Sequence, residues 1–223
     1  PDTTYSYAIQ CGGETLATSA FRTQKEHPEH LHLVTLSDSH LFYNGERFGK
    51  MVEHVQPDFL LHSGDISFGT GFQHDQYPDN WFHKIPAVLA SIPAWYIPGN
   101  HDDGPFDEAL LLSPQAKTTN SPDGGFTYSF DVGRVHFTMV DSNPWGLFEM
   151  NAINSSAEPD EKTRRQVREA LAWVEEDLKS PQAKAADWRI LVAHHPYTDV
   201  FNNRYLVPIA ERCGVNLVIG GHL

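Results

Sequence analysis

The sequence predicts a mixed α/β fold, and two observations support this fold class. Short apolar runs of strand length alternate along the chain with segments whose apolar residues recur at helical spacing. Residues 126–131 and 135–141 alternate in polarity around Gly133, a pattern typical of a β-hairpin, so the strands are not all parallel. A chain of 223 residues is long enough to bury a sizeable core.

The first 30 residues differ in pattern from the rest of the chain. Residues 5–10 and 15–22 alternate on either side of Gly12-Gly13, which predicts a second hairpin. Because an isolated hairpin is marginally stable at best, we expect residues 1–23 to end a separate upstream β-domain or to lean on the main domain. Residues 24–30 are polar and contain a proline, and they are interpreted as a linker.

From residue 31 onward, predicted strands and helices alternate. The strands are predicted at 31–36, 58–65, 93–99, 188–193 and 215–219, in addition to the central hairpin. Helices are predicted at 44–55, 81–91, 107–112, 161–179 and 201–213, with Pro86 either starting or kinking the second. The clearest is 161–179, where Val167, Leu171, Val174 and Leu178 form one apolar stripe opposite a charged face. Long loops at 69–80, 113–125 and 143–160 carry no recognisable specificity motif.

Composition limits the classes of function. The net charge of −13 argues against a broad nucleic-acid-binding surface, which needs clustered Lys and Arg. No apolar run approaches the roughly 20 residues that span a bilayer, so no membrane segment is predicted. Cys11 and Cys213 lie far apart and indicate neither a disulfide framework nor a metal cluster.

Five of the predicted strands end in the same way, with polar residues of metal-ligand type directly after the apolar run. In chain order these residues are Asp38 and His40; Asp65; Asn100, His101 and Asp102; His194 and His195; and His222. Any one such end could be only a turn, since Asn and Asp are good turn formers. The repetition favours a site, because open α/β sheets hold ligands at the carboxyl ends of their strands.

The residue types at these strand ends indicate metal chemistry. Carboxylate, amide and imidazole ligands suit Zn, Mn or Fe. Two such ions about 3.5–4 Å apart can bind the attacking and leaving oxygens of a phosphoryl displacement and activate a bridging water. His101 lies beside the cluster and is followed by a carboxylate, which makes it a candidate general acid.

The motif series closely resembles that of the calcineurin-like metallophosphoesterase superfamily over about residues 31–223. The matching motifs are Asp38-x-His40, Gly64-Asp65, Gly99-Asn100-His101-Asp102, His194 and Gly221-His222. The resemblance implies a two-sheet ββ sandwich flanked by helices, with a dinuclear metal centre at the strand ends.

The resemblance also implies residue roles. It assigns Asp38 and His40 to the first metal, Asp65 to a bridging position, and Asn100, His194 and His222 to the second metal. His101 would protonate the leaving group or steady the phosphate, and Asp102 would orient it. His194 is expected to be the ligand rather than His195, which is expected to support the site or contact substrate.

Two departures from the family pattern carry further expectations. The family's last motif is Gly-His-x-His, whereas this sequence ends at Leu223, so we expect a domain truncated at its C-terminus with weakened binding of the first metal. The leading hairpin resembles the end of the fibronectin-like domain of purple acid phosphatases, which favours a secreted or periplasmic parent. That branch has a tyrosine ligand where this chain has Phe68, so no tyrosinate–iron colour is expected.

The leading hypothesis is metal-dependent hydrolysis of phosphate esters by a metal-bridging hydroxide, with a small phosphomonoester as substrate. The expected cofactors are two divalent transition metal ions, Fe, Mn or Zn. The alternatives are a phosphodiesterase of the same superfamily and a catalytically silent relative that only binds its ligand. The histidines at other positions are expected to be surface or hydrogen-bonded core residues: His27, His30, His32, His54, His62, His74, His83 and His136. For His74, with Asp75, a contact to substrate is the alternative, because both lie in the loop after Asp65.

Overall fold

The fold is described from a computed structural model, which covers residues 2–40, 44–66, 78–102, 126–144, 160–195, 197 and 201–222. The predicted helix at 107–112, the loop at 113–125 and most of the other two long loops lie outside the described residues. Phe68, His74 and Asp75 also lie outside them.

The main domain contains two sheets. The first has the order β3-β4-β5, all parallel: β3 (Leu33–Leu36), β4 (Phe59–His62) and β5 (Ala94–Tyr96). The second has the order β6-β7-β8-β9: β6 (Tyr128–Val132), β7 (Val135–Val140), β8 (Trp188–Ala193) and β9 (Leu217–Ile219). β6 and β7 form the predicted antiparallel hairpin, and β7, β8 and β9 are parallel. β4 and β5 end three residues earlier than predicted, at His62 and Tyr96. β3 and β9 keep their predicted ends but begin two residues later, and β8 matches its predicted bounds.

Five helices flank the sheets in the described part of the chain: α1 (Gly45–Val55), α2 (Pro86–Leu89), α3 (Glu161–Leu178), α4 (Pro181–Ala185) and α5 (Val207–Arg212). Asp160 caps α3 by accepting the Thr163 amide at 2.7 Å. The predicted single helices at 81–91 and 201–213 are each corrected to two pieces. Wider π-helical turns, Pro78–Phe82 and Asn202–Leu206, precede α2 and α5. Pro86 and Pro208 lack an amide hydrogen, so neither segment forms one continuous α-helix.

The core consists of three layers of buried side chains. Successive side chains of a strand point to opposite faces of its sheet, so each strand contributes to the layer between the sheets and to one outer layer. Between the two sheets lie Phe59, Leu61, Phe137, Met139, Ile190 and Val192. The α1 and α2 side of the first sheet buries Val52, Leu60, Trp81, Ile85 and Val88. The α3 and α5 side of the second sheet buries Val174, Leu178, Leu191, Phe201 and Ile209. The predicted two-sheet sandwich flanked by helices is therefore confirmed.

The leading hairpin consists of β1 (Thr4–Cys11) and β2 (Glu14–Arg22), as predicted. The hairpin contacts the main domain, where the Tyr7 hydroxyl donates a hydrogen bond to the Ala90 carbonyl at 2.7 Å. Its origin in an upstream domain stays a prediction. None of the helices in the described ranges is both long and apolar enough to cross a membrane.

Candidate metal centre

The loops that follow β3, β4, β5, β8 and β9 meet at one edge of the sandwich. The first and second sheets are joined there by direct contacts. His194, after β8, has its Nδ1 atom 2.8 Å from the carbonyl oxygen of Ser63, after β4. The backbone amide of His222, after β9, donates to Asp38 Oδ2 at 2.9 Å. Residues far apart in sequence therefore share one small volume.

All six predicted metal ligands are brought together at this edge. Two groups have their ligand atoms within 4.8 Å of one another: Asp38, His40 and Asp65; and Asp65, His194 and His222. Asp65 belongs to both groups. The sixth residue, Asn100, places Oδ1 3.0 Å from His194 Nε2.

His195 is directed elsewhere. Its Nδ1 atom lies 2.8 Å from Ser142 Oγ, and its backbone amide donates to the same hydroxyl at 3.1 Å. Its ring centroid lies 4.7 Å from that of His222. The His195 ring therefore lies against the ring of His222 while its Nδ1 atom is engaged by Ser142, and its role stays a prediction.

The hydrogen bond of His194 determines which of its ring nitrogens faces the centre. The Ser63 carbonyl can only accept, so Nδ1 carries the hydrogen in the neutral ring. Nε2 therefore faces the centre and lies 3.4 Å from Asp65 Oδ2. It donates to that carboxylate when the ring is protonated, and its lone pair is available to a cation when the ring is neutral. Histidines that bind metals usually have the second ring nitrogen anchored in this way.

Four of the six predicted ligands have left-handed backbone conformations: Asp38 (φ 52), His40 (φ 43), Asp65 (φ 60) and His222 (φ 60). This conformation costs L-residues about 1–2 kcal/mol each, and Asp and His adopt it more readily than most. Backbone bonds hold two of the turns, with the Asp38 amide donating to Gly64 O and the His40 amide to Asp65 O, both at 3.0 Å. Backbone strain of this kind clusters at functional sites.

Two glycines allow the loops to approach one another. A Cβ atom on Gly64, which has φ +100, would lie 2.6 Å from His194 Nδ1. A Cβ atom on Gly99 would overlap the Asp65 carboxylate. A side chain at either position would force apart the loops that carry Asp65, Asn100 and His194.

Asp102 has a role that the sequence did not reveal. Its carboxylate is 1% exposed, and Oδ2 accepts the Asp65 amide at 2.7 Å and the Gly99 amide at 2.8 Å. Asp102 therefore ties the β4 loop to the β5 loop. Its orientation of His101 stays a prediction. His101 itself donates its backbone amide to Asp65 Oδ1 at 2.9 Å, and its ring meets the ring of His40 edge-on at 5.1 Å.

The electrostatics of the centre keep Asp65 ionised. Burial alone would raise the pKa of Asp65, but the hydrogen bond and charge of His194, with the His101 amide, lower it. Burial alone would lower the pKa of His194, whereas its interaction with Asp65 raises it. A buried anion surrounded by imidazoles is an environment that favours a bound cation.

Other polar residues at the centre were not predicted from the sequence. Ser37 donates its hydroxyl to Asp38 Oδ2 at 2.5 Å, and Asn143 donates its side-chain amide to Gly99 O at 3.1 Å. Ser37 belongs to the polar run after β3, which was a usable signal, whereas nothing local marks Asn143. The donor set of carboxylate, amide and imidazole groups fits divalent transition metal ions.

Comparisons with known proteins identify the family of the chain and relatives of similar fold. Residues 31–223 match the family model of the calcineurin-like phosphoesterases. Purple acid phosphatase 23 of Arabidopsis thaliana is 23% identical over 167 residues, which are 65% of this chain and 31% of that protein. The chain thus spans about a third of the length of this curated relative.

Two solved structures are similar in fold. A purple acid phosphatase from seeds of yellow lupin, Lupinus luteus, aligns with a TM-score of 0.64 at 16% identity, over 100% of this chain and 44% of that chain. A dimetal phosphatase from Danio rerio aligns with a TM-score of 0.57 at 13% identity, over 82% of this chain and 77% of that chain.

Proposed function

This chain belongs to the calcineurin-like phosphoesterase family, and we propose that it hydrolyses phosphate esters, with phosphomonoesters preferred, using two divalent transition metal ions. The observation that carries the proposal is the sharing of Asp65 by the two groups of ligand-type side chains. A carboxylate common to two ligand sets is what a pair of neighbouring metal ions requires. The similarity to a dimetal phosphatase supports the proposal at the level of the fold.

The ligand groups divide between the two ions as follows. Asp38, His40 and Asp65 would hold the first ion. Asp65, His194 and His222 would hold the second, with the amide oxygen of Asn100 as a further ligand. Bound there, the ions would activate water and neutralise charge on the phosphoryl group. Because the chain carries a net charge of −13, an anionic substrate needs such local positive charge.

His101 is proposed as the proton donor. Hydrolysis places the hydroxyl of water on phosphorus and, for a basic leaving group, a proton on the departing ester oxygen, and a donor beside the centre would speed that departure. The His101 backbone is fixed by the Asp65 carboxylate, and its ring is partly exposed beside His40. A positioned imidazole of this kind can protonate the leaving oxygen as the P–O bond breaks.

The proposal is tested by comparing p-nitrophenyl phosphate with bis-p-nitrophenyl phosphate as substrates after addition of Mn²⁺, Zn²⁺ or Fe²⁺. We expect hydrolysis of the monoester that a chelator abolishes. Asp65→Ala should abolish it as well, whereas the surface variant Glu211→Gln should not. Preference for the diester would favour a phosphodiesterase. Bound metal without hydrolysis of either ester would favour a relative that only binds its ligand.

A further inference from the structure

We propose that His62 is a positioning residue that preforms the first ligand group by joining the two turns that carry it. His62 is the last residue of β4 and is 0% exposed. The sequence predicts for it only a satisfied core position. This inference rests on the proposed metal centre, but the residue itself is not one of the six ligands.

Both ring nitrogens of His62 are engaged. The Gly64 amide donates to Nδ1 at 3.2 Å, so Nδ1 holds the lone pair. Nε2 therefore carries the hydrogen and donates it to Ser39 Oγ at 2.9 Å. Ser39 lies between Asp38 and His40, and Gly64 directly precedes Asp65. One neutral imidazole thus connects the two segments that contain the first ligand group.

An aromatic enclosure holds the His62 ring in this orientation. The ring of Trp81 meets it edge-on at 5.0 Å, and the ring of Tyr96 lies parallel to it at 6.3 Å. Trp81 Nε1 donates to the Tyr96 hydroxyl at 2.9 Å, which fixes the two aromatic side chains relative to each other. Burial, with a smaller contribution from the charge of His194, lowers the pKa of His62 to about 3, so the ring stays neutral.

The turns need such support because their backbones are strained. Asp38, His40 and Asp65 all have positive φ angles, a backbone conformation that is costly for residues other than glycine. Two backbone hydrogen bonds join the same two turns, and the His62 ring adds side-chain contacts to both. Loss of groups that orient metal ligands typically lowers metal affinity about 10–100-fold.

The test uses three single variants, one double variant and two readouts. His62→Asn keeps an acceptor for the Gly64 amide but loses the donor to Ser39. Ser39→Ala removes that partner from the other side. His136→Asn is the matched control, because His136 is a histidine only 2% exposed that hydrogen-bonds Asp131 and Asp177, outside both ligand groups. The readouts are the Mn²⁺ dissociation constant, by competition with a chelating dye, and thermal unfolding of the metal-free chain.

We expect His62→Asn and Ser39→Ala each to weaken Mn²⁺ binding about 10–100-fold. The double variant should bind Mn²⁺ no more weakly than His62→Asn, because both changes remove the same hydrogen bond between His62 and Ser39. His136→Asn should lower the unfolding temperature while Mn²⁺ affinity stays at the wild-type level. Ser39→Ala keeps the test decisive if His62→Asn fails to fold.

Two results would overturn this inference and leave the proposed function intact. One is a Ser39→Ala variant that binds Mn²⁺ as tightly as the wild type. The other is a His62→Asn variant that binds Mn²⁺ as tightly as His136→Asn. No Mn²⁺ binding by the wild-type chain would overturn the proposed function and this inference with it.

Discussion

Asp102 offers the sharpest test of how the centre is held together. Asp102→Ala removes a buried oxygen that accepts the Asp65 amide at 2.7 Å and the Gly99 amide at 2.8 Å. Each buried amide left without an acceptor costs about 1–3 kcal/mol. The two together predict a loss of about 2–6 kcal/mol in the free energy of unfolding. This is a large part of the roughly 5–15 kcal/mol that stabilises a typical domain.

Asp102→Asn is the matched control. Its amide oxygen can accept both backbone amides, so this variant keeps the acceptor and loses the charge that strengthens these bonds. Charge-assisted hydrogen bonds are roughly twice as strong as neutral ones, so the expected loss is about 1–2 kcal/mol. Urea unfolding of the metal-free chain measures both variants, and we expect stability to decrease from wild type to Asp102→Asn to Asp102→Ala.

An unchanged urea midpoint in Asp102→Ala would refute the conclusion that this carboxylate joins the two loops. Equal losses of unfolding free energy in the two variants would show that the charge of Asp102 matters more than its capacity to accept hydrogen bonds.

Three further perturbations have expected outcomes. Burial alone would lower the pKa of His136, but hydrogen bonds to Asp177 and Asp131 raise it above its ordinary 6.5. Its contribution to stability is therefore complete below pH 6.5 and lost as the pH rises through the raised pKa. Urea unfolding of wild type and His136→Gln across this range should give a difference that shrinks with rising pH, and a constant difference would contradict the pairing. His101→Ala should lower kcat on an alkyl phosphate, whose leaving oxygen needs a proton, about 10²–10⁴-fold without loss of bound metal, and undiminished turnover of that ester would exclude it as the general acid. Gly64→Ala should destabilise the chain by about 2–5 kcal/mol through strain and overlap, visible in the urea midpoint, and a wild-type midpoint would contradict the close approach of the loops.

Much of the fold could be predicted because its strands are apolar runs that stop abruptly in polar residues. The two-residue period of a strand and the longer period of a helix are local signals, so β8 and α3 were located nearly to their ends. The π-helical turns before α2 and α5 were missed, although Pro86 and Pro208 mark where each helix can begin. α4 was also missed, although Ser180 followed by Pro181 is a helix-start signal.

The residues that support the centre could not be predicted, because their partners are distant in sequence. Asp102 accepts the amide of Asp65, and His62 reaches Ser39. No local pattern encodes these pairs. The family model confirms the resemblance that the strand-end motifs indicated.

His194 and His195 illustrate a second limit. Two consecutive histidines follow β8, and either could supply a ligand atom to the centre. The local sequence does not show which of the two histidines supplies the ligand atom. In the structure His194 lies with Asp65 and His222, whereas His195 bonds Ser142. The assignment of His194 as a ligand stays a prediction until metal is measured.

The most direct test of the central claim is elemental analysis of bound metal after reconstitution with Mn²⁺, Zn²⁺ or Fe²⁺. Turnover of p-nitrophenyl phosphate is measured on the same samples. The shared carboxylate predicts as many as two ions per chain, turnover that rises with occupancy, and loss of both in Asp65→Ala. A wild-type chain that retains no metal and hydrolyses nothing would contradict the claim. So would an Asp65→Ala variant with the same metal content and turnover as the wild type.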